Sequence, residues 1–308
     1  MNDGKTKFWY ALMIIAILWL VSFALSNLLD FENRVVGNKI VIIPIKGVLT
    51  SDGDALSFIE KTTTSSRTIV NFIQQAETDS SVKGIILEIN SPGGTVMGSK
   101  EIADAVKKTK KPTIAVIREV GASGGYWVAS AADKVIADPL SITGSIGVTS
   151  SYLEFTGLME KYGVTYEELS TGKYKESGSP FKELTPEERA RIQKQLEKIQ
   201  SYFIEEVRAN RNLDQKTITE IKEAGIYLGE EAYQLNMVDL LGGMDTAINL
   251  TKEMANITEA KIVRYEEEKG LFDILGILSA ESFYYMGRGI GAEITSKQRT
   301  QGIMEIRS

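Results

Sequence analysis

The chain has 308 residues and contains neither histidine nor cysteine. This excludes a Ser-His-Asp triad, a thiolate nucleophile, disulfides and zinc sites built on imidazole or thiolate, and it leaves only carboxylates for hard cations. Thirty-five Lys and Arg against 41 Asp and Glu give a net charge of -6, so the charge gives no sign of a nucleic-acid partner.

Residues 1–7 carry Lys5 and Lys7 and precede an uncharged apolar run at 8–29, "FWYALMIIAILWLVSFALSNLL". That run is long enough to cross a hydrocarbon core of about 30 Å, and Trp9 and Tyr10 stand where interfacial aromatics stand. Asp30 and Glu32 follow it, so the positive-inside rule places residues 1–7 in the cytoplasm and the rest on the extracytoplasmic face of the cell membrane. A cleaved signal peptide is the competing reading, with Ala24-Leu25-Ser26 as its site, but the run exceeds an h-region of about 7–15 residues. A linker at 30–38 leads to the body of the chain, 39–265, and a tail of unknown role follows at 266–308.

From Lys39 the pattern alternates strand and helix. "KIVIIPI" (39–45) reads as a strand, with Pro44 predicting an edge or a bulge. Ile69, Phe72, Ile73 and Ala76 have helical spacing. "GIILEI" (84–89), "TIAVI" (113–117) and "KVIA" (134–137) are short buried strands; 96–109 and "YWVASAA" (126–132) are helices. This order predicts an α/β core with a mostly parallel sheet. After residue 150 the chain turns mainly helical. Thr185 as N-cap, Pro186 at the first helical position and Glu188 closing a capping box start a long helix, whose face is Ile192, Leu196, Ile199, Phe203 and Val207.

Three Gly-rich segments stand at strand ends, where open α/β sheets bind ligands. "INSPGG" ends on Gly93-Gly94, which can turn sharply and present bare N–H groups to an oxyanion. Gly121-Ala122-Ser123-Gly124-Gly125 matches the letters of the G-x-S-x-G nucleophile elbow, but without histidine Ser123 would need a lysine as base. Otherwise Ser123 caps a helix and the glycines permit close packing. "ITGSIGV" places Ser145 between Gly144 and Gly147. The loop "TGKYKESGSP" carries Lys173 and Lys175 just before the long helix.

"NSPGG", "ASGGYW", "ITGSIGV" and "YKESGSP" together resemble the signal peptide peptidase A family of Ser/Lys-dyad peptidases, in its short single-domain form. "LGEEAYQLNMVDLLGG" is similar to the family's G-x-x-A-x-x-x-G-L-V-D-x-x-G-G, with Asn236 in place of a glycine. The resemblance spans about residues 39–265 and implies a ClpP/crotonase-like fold and a membrane-anchored serine endopeptidase needing no metal or other cofactor. Its substrates would be membrane-proximal peptides such as cleaved signal peptides or misfolded segments. It assigns the nucleophile to Ser145 and the general base to Lys175, with Lys173 the fallback if the loop aligns two residues off. It assigns the oxyanion N–H groups to Gly94 and Ile146, and the cleft wall to Pro92, Gly93, Ser123 and Gly124. In the related ClpP proteases the nucleophile occupies a comparable A-S-x-G position, so Ser123 remains the competing serine. Long family members carry two copies of the domain and this chain carries one. The expectation is therefore a homo-oligomer in which Lys175 serves a neighbour's serine. The rival readings are a crotonase-like acyl-CoA enzyme and a non-enzymatic scaffold of a membrane complex.

Overall fold

The computed structural model describes residues 9–10, 13–22, 37–52 and 63–266. The central strands are runs of aliphatic residues, mostly β-branched, buried on both faces, as parallel strands covered by helices must be. Strand β1 (Lys39–Thr50), β2 (Thr63–Ser65), β3 (Val82–Gly94), β4 (Thr113–Ala122), β5 (Lys134–Ala137) and β8 (Leu240–Leu241) lie in the order β2-β1-β3-β4-β5-β8, all parallel. Three short strands extend this path. β9 (Lys261–Arg264) pairs parallel with the start of β1, and β6 (Ile142–Gly144) with the end of β4. β7 (Ile226–Leu228) runs antiparallel to β6.

Helices cover both faces. Helix α1 (Ser66–Thr78), α2 (Val96–Lys108), α3 (Gly124–Ser130) and the second half of α5 (Pro186–Arg211) share one core with Val41, Ile43, Ile85, Leu87 and Ile117. On the other face Ala247 of α8 (Met244–Met254) packs with Ile40, Ile42, Ile86, Ile114 and Ile136. Between α3 and α8 in the chain come α4 (Thr156–Lys161), α5, α6 (Gln215–Ile221) and α7 (Gly229–Gln234). Glu88 of β3 is buried and held by Arg264 at the end of β9 and by Arg118 Nη1 at 2.9 Å. The Arg264 hydrogen bond, ahead of Arg118, keeps the Glu88 carboxyl below the usual carboxylate range.

Several sequence expectations are met by particular contacts. The capping box of α5 is formed: Thr185 Oγ1 accepts from Glu188 N at 3.2 Å, and Glu188 Oε2 accepts from Thr185 N at 2.9 Å. Asn236 takes the left-handed conformation, with φ at 56°. Others are corrected. Pro44 lies inside the sheet, but in a gap: β9 pairs with β1 only as far as Ile42, and β2 begins pairing at Val48. The β1–β3 register shifts not at Pro44 but between Lys46 and Val48, where Ser91 and Pro92 of β3 bulge opposite Gly47. "NSPGG" is not a turn, because β3 continues through it and Gly94 still pairs with Leu49. Helix α3 starts at Gly124, two residues before its first aromatic. Only Phe203 and Val207 of the predicted α5 face, joined by Ile204, are buried; Ile192, Leu196 and Ile199 are half-exposed.

Of the expected anchor, residues 9–10 and 13–22 are helical and the rest lies outside the described residues. No helix among the described residues is long and apolar enough to cross a membrane. The chain divides into two compact units, Met1–Tyr265 and Glu266–Ser308. The expected tail, apart from Glu266, is outside the described residues.

Trp127 of α3 stacks on Phe203 of α5, with ring centroids 4.3 Å apart and an interplanar angle of 13°. Phe203→Ala should therefore destabilise the domain by about 3–5 kcal/mol, read as a lower midpoint in urea unfolding followed by tryptophan fluorescence.

Candidate active site

The carboxyl ends of β1, β3, β4 and β6 meet at one edge of the sheet. Two register shifts open this edge: one at Gly47 of β1, the other between Ile89 and Ser91 of β3 against β4. The second inserts residues 118–120 of β4, and Asn90 Oδ1 accepts from Val120 N at 3.2 Å across the bulge.

Gly93 has φ of 105°, which an L side chain rarely adopts, and a Cβ there would lie 2.9 Å from Ser123 Cβ and 2.8 Å from Gly124 N. The Gly93 backbone is thus packed directly on Ser123. Gly94 is exposed, with its nitrogen 3.4 Å from where a Gly124 Cβ would stand. Gly124 must itself lack a side chain, because its Cβ would fall 2.0 Å from the buried Ser99 Oγ.

Ser123 is half-buried, with φ 51° and ψ -123°, at the N-cap of α3. Such backbone in a non-glycine residue costs about 1–3 kcal/mol and persists only where the surroundings impose it. Here they do: Ser123 N donates to Gly144 O at 2.8 Å, and Trp127 N donates to Ser123 O at 2.9 Å. The first amides of a helix have no partner within it, so Gly124 N–H, next to the Ser123 side chain, is a donor that the helix does not use.

Ser145 is also half-buried and also strained, with φ 52°, directly after Gly144 at φ 85°. Its N–H donates to Gly225 O at 2.7 Å, and its carbonyl accepts from Gly147 N at 2.8 Å. The two serines are therefore neighbours: the carbonyl that binds Ser123 N–H belongs to the residue before Ser145. The closest atoms to Gly93 and Gly94 belong to Ala122, Ser123, Gly124 and Leu49, not to Ser145 or Ile146. Ile146 is fully buried, and its carbonyl accepts from Gln200 Nε2 at 3.4 Å. Pro92 is exposed, within β3 just before Gly93.

The two lysines differ. Lys173 is paired with Glu187, and that hydrogen bond pushes its ammonium above the usual lysine range, the wrong direction for a base. Lys175 is exposed, and its side chain has no hydrogen bond or ion pair among the described residues; its N–H donates to Gly172 O at 3.1 Å. The loop around it is anchored by Glu188, which also accepts from Ser177 Oγ at 2.9 Å and faces Lys182 Nζ at 3.4 Å. Residues 149–173 before it form an arm that covers little and is covered by little: Leu153 is 72%, Tyr162 70% and Leu169 92% exposed.

Sequence reasoning missed Ser91 and Ser99, two buried hydroxyls at this edge. The available signal was that each falls on an inward position of its element.

Thr185 N–H first, and then the Ser177 hydroxyl, hold the Glu188 carboxyl down at about 2. A carboxylate so depressed stabilises the fold fully above its ordinary value near 4.5, and that contribution is lost as pH falls towards 2. Glu188→Gln should therefore lower the urea midpoint at pH 7, and the difference from wild type should shrink between pH 4.5 and pH 2.

Comparison with known proteins follows the same geometry. The Peptidase family S49 profile matches residues 105–258, and that of ClpP-like SDH-type serine proteinases matches residues 53–153. A Methanocaldococcus jannaschii protein named "Putative protease" is 36% identical over 79% of this chain and 78% of its own. The Enterococcus faecium "Putative signal peptide peptidase SppA" is 30% identical over 89% of this chain and 79% of its own. In fold, the chain is similar to a solved lysine-to-alanine mutant of the 1510-N membrane-bound stomatin-specific protease in complex with a substrate peptide. The TM-score is 0.51 at 16% identity, over 78% of this chain and 98% of that one. The mostly parallel sheet, the strained serines at its carboxyl edge and these matches agree: the chain belongs to peptidase family S49 and is a serine peptidase.

Proposed function

We propose that Ser123 is the nucleophile of this peptidase and that Lys175 of a neighbouring copy is its general base. The observation that carries the choice of serine is the packing of Gly93 on Ser123, with Gly94 N beside Gly124. An oxyanion hole must lie within about 3 Å of where the attacked carbonyl oxygen goes, so it must stand beside the nucleophile. Gly94 N–H and Gly124 N–H, the amide after Ser123, meet that requirement together. The resemblance had pointed to Ser145 and Ile146; on this reading Ser145 lines the same cleft and Ile146 belongs to the core.

The base follows from what the chain lacks and from what it resembles. Without histidine, the serine proton must go to a lysine, a carboxylate or the terminal amine, and the resemblance to the Ser/Lys peptidases selects the lysine of the "YKESGSP" loop. An ordinary lysine titrates near ~10.4 and is charged at neutral pH, so it must be desolvated to act as base. Lys175 is exposed in the single chain, and so are the apolar residues of the arm that leads to it. Covering that arm with a second copy would bury both. The cycle is then short. Neutral Lys175 takes the proton as Ser123 Oγ attacks the scissile carbonyl, and the two amides hold the oxyanion. The protonated lysine returns its proton to the leaving amine, and water releases the acyl group.

The substrate is a peptide bound as an extended strand against the sheet edge, in keeping with the relative named for signal peptides. The uncharged run at 8–29, with lysines before it and carboxylates after it, supports a single-pass anchor that leaves the catalytic domain on the extracytoplasmic face beside membrane-released peptides. Family membership leaves no support for the acyl-CoA or scaffold readings.

Labelling with a serine-directed fluorophosphonate tests the nucleophile. Ser123→Ala should abolish labelling and peptide cleavage, and Ser145→Ala should retain labelling; the reverse pattern returns the nucleophile to Ser145. Lys175→Ala should remove activity where Lys173→Ala does not. Mixing inactive Ser123→Ala with inactive Lys175→Ala protein, after dissociation and reassembly, should restore cleavage. No restoration would place both residues of the dyad in one chain.

A further inference from the structure

We propose that Ser91 is a positioning residue for the oxyanion site: its buried hydroxyl pins the Gly93-Gly94 end of β3 against Ser123. The proposal rests on the reading that Gly94 N–H and Gly124 N–H receive the oxyanion. It assigns a role to the serine of "NSPGG", which contacts neither substrate nor nucleophile.

Ser91 is fully buried, in β3, at the point where both neighbouring ladders lose register. On one side β3 itself bulges, with Ser91 and Pro92 opposite Gly47 of β1, which has φ of 68°; on the other β4 inserts residues 118–120 before Gly121 pairs with Ser91. A bulge leaves ladder groups without their regular partners, and at a buried position each such group must find another. The Ser91 hydroxyl supplies two. Its single proton goes to Gly47 O at 2.6 Å, and its oxygen accepts from Gly93 N at 3.1 Å. The Gly93 carbonyl, at 3.4 Å, is a longer contact of the same hydroxyl.

The geometry transmits from there in one residue. Gly93 is held at φ 105° and pressed on Ser123, and Gly94 follows it with its nitrogen facing Gly124. Ser91 touches the other wall as well, because its carbonyl lies 2.7 Å from where a Gly125 Cβ would stand. One residue therefore fixes the spacing between the end of β3 and the start of α3. If the hydroxyl is removed, the half-buried Gly47 carbonyl and the buried Gly93 amide lose their partner, and this end of β3 relaxes to find new ones. An oxyanion donor displaced by about 1 Å can cost about 10²-fold in rate while leaving substrate binding in place.

The test is Ser91→Ala in the full chain, assayed for peptide cleavage, fluorophosphonate labelling rate and inhibition by a peptide boronate, whose tetrahedral adduct occupies the oxyanion site. Per folded molecule, kcat and labelling rate should fall about 10- to 100-fold. Boronate affinity should fall in parallel and KM should stay nearly unchanged. Ser91→Thr, which keeps the hydroxyl, should recover most of the lost kcat. If the alanine chain does not fold, Ser91→Cys offers a weaker donor in a similar volume and should show the same split between kcat and KM. A loss of activity that only follows the folded fraction, or a rise in KM at constant kcat, would overturn the proposal. The two readings fail separately. Continued labelling of Ser123→Ala sinks the choice of nucleophile. Normal kinetics in Ser91→Ala, with Ser123→Ala silent, sinks only the role of Ser91.

Discussion

Three stretches of backbone approach one another at the carboxyl edge of the sheet with almost no side chains between them, and the site depends on that approach. A Cβ on Gly94 would lie 2.0 Å from Leu49 O, and one on Gly124 would lie 2.0 Å from Ser99 Oγ. Backbone so close leaves little freedom to slide, because interiors are packed at crystal-like density. That rigidity lets Ser123 and Ser145 hold positive φ values that would relax in a looser setting. The strain is supported from behind by α3, every residue of which is buried, and by the Trp127–Phe203 stack that ties α3 to α5. Deep within the same core, Tyr126 donates to Met237 O at 2.9 Å, and burial pushes its phenol up.

The second constraint is one of solvation. A lysine base works only when it is taken out of water, yet the loop with Lys175 and the arm before it stand in solvent in the single chain. Apolar residues as exposed as Leu153 and Leu169, together with the half-exposed stripe of Ile192, Leu196 and Ile199, are unusual for a surface with no partner. The loop is nevertheless internally well held. Glu188 binds Thr185, Ser177 and Lys182, and Lys173 is neutralised by Glu187. Its form is set by its own polar contacts, while its burial is left to something outside it.

Much of this was legible in the sequence, and the exceptions have physical causes. Aliphatic runs such as "GIILEI" and "KVIA" announced their strands, and the capping box at Thr185 announced α5 to the residue. "NSPGG" misled because Pro and Gly-Gly ordinarily punctuate, whereas here the exposed Pro92 and the close approach to Leu49 let the strand continue. The start of α3 was placed late for the same reason, since Gly124 and Gly125 read as loop until Ser99 and Ser91 are seen to occupy the space of their side chains. The choice between the two serines could not be read locally. Both sit among glycines at strand ends, and both prove to have φ near 50°. On the proposed reading, what separates them is a non-local contact, Gly93 at the end of β3 against Ser123, which no spacing within either motif encodes.

On the proposed reading, the two halves of the dyad are built on opposite principles. The nucleophile and its donors are fixed by closely packed backbone, and they are assembled whether or not another copy is present. The base stands on an exposed arm and lacks the one property it needs, a dry environment, until that arm is covered. A single chain would then carry a shaped oxyanion site and a strained serine but no proton acceptor for it. Lysine differs from histidine in that respect: an imidazole near neutrality works while partly hydrated, whereas an ammonium group must lose its water before it can lose its proton. A peptidase that gives up histidine thereby ties its chemistry to burial, and here the burial that is missing within one chain lies where the apolar arm is exposed.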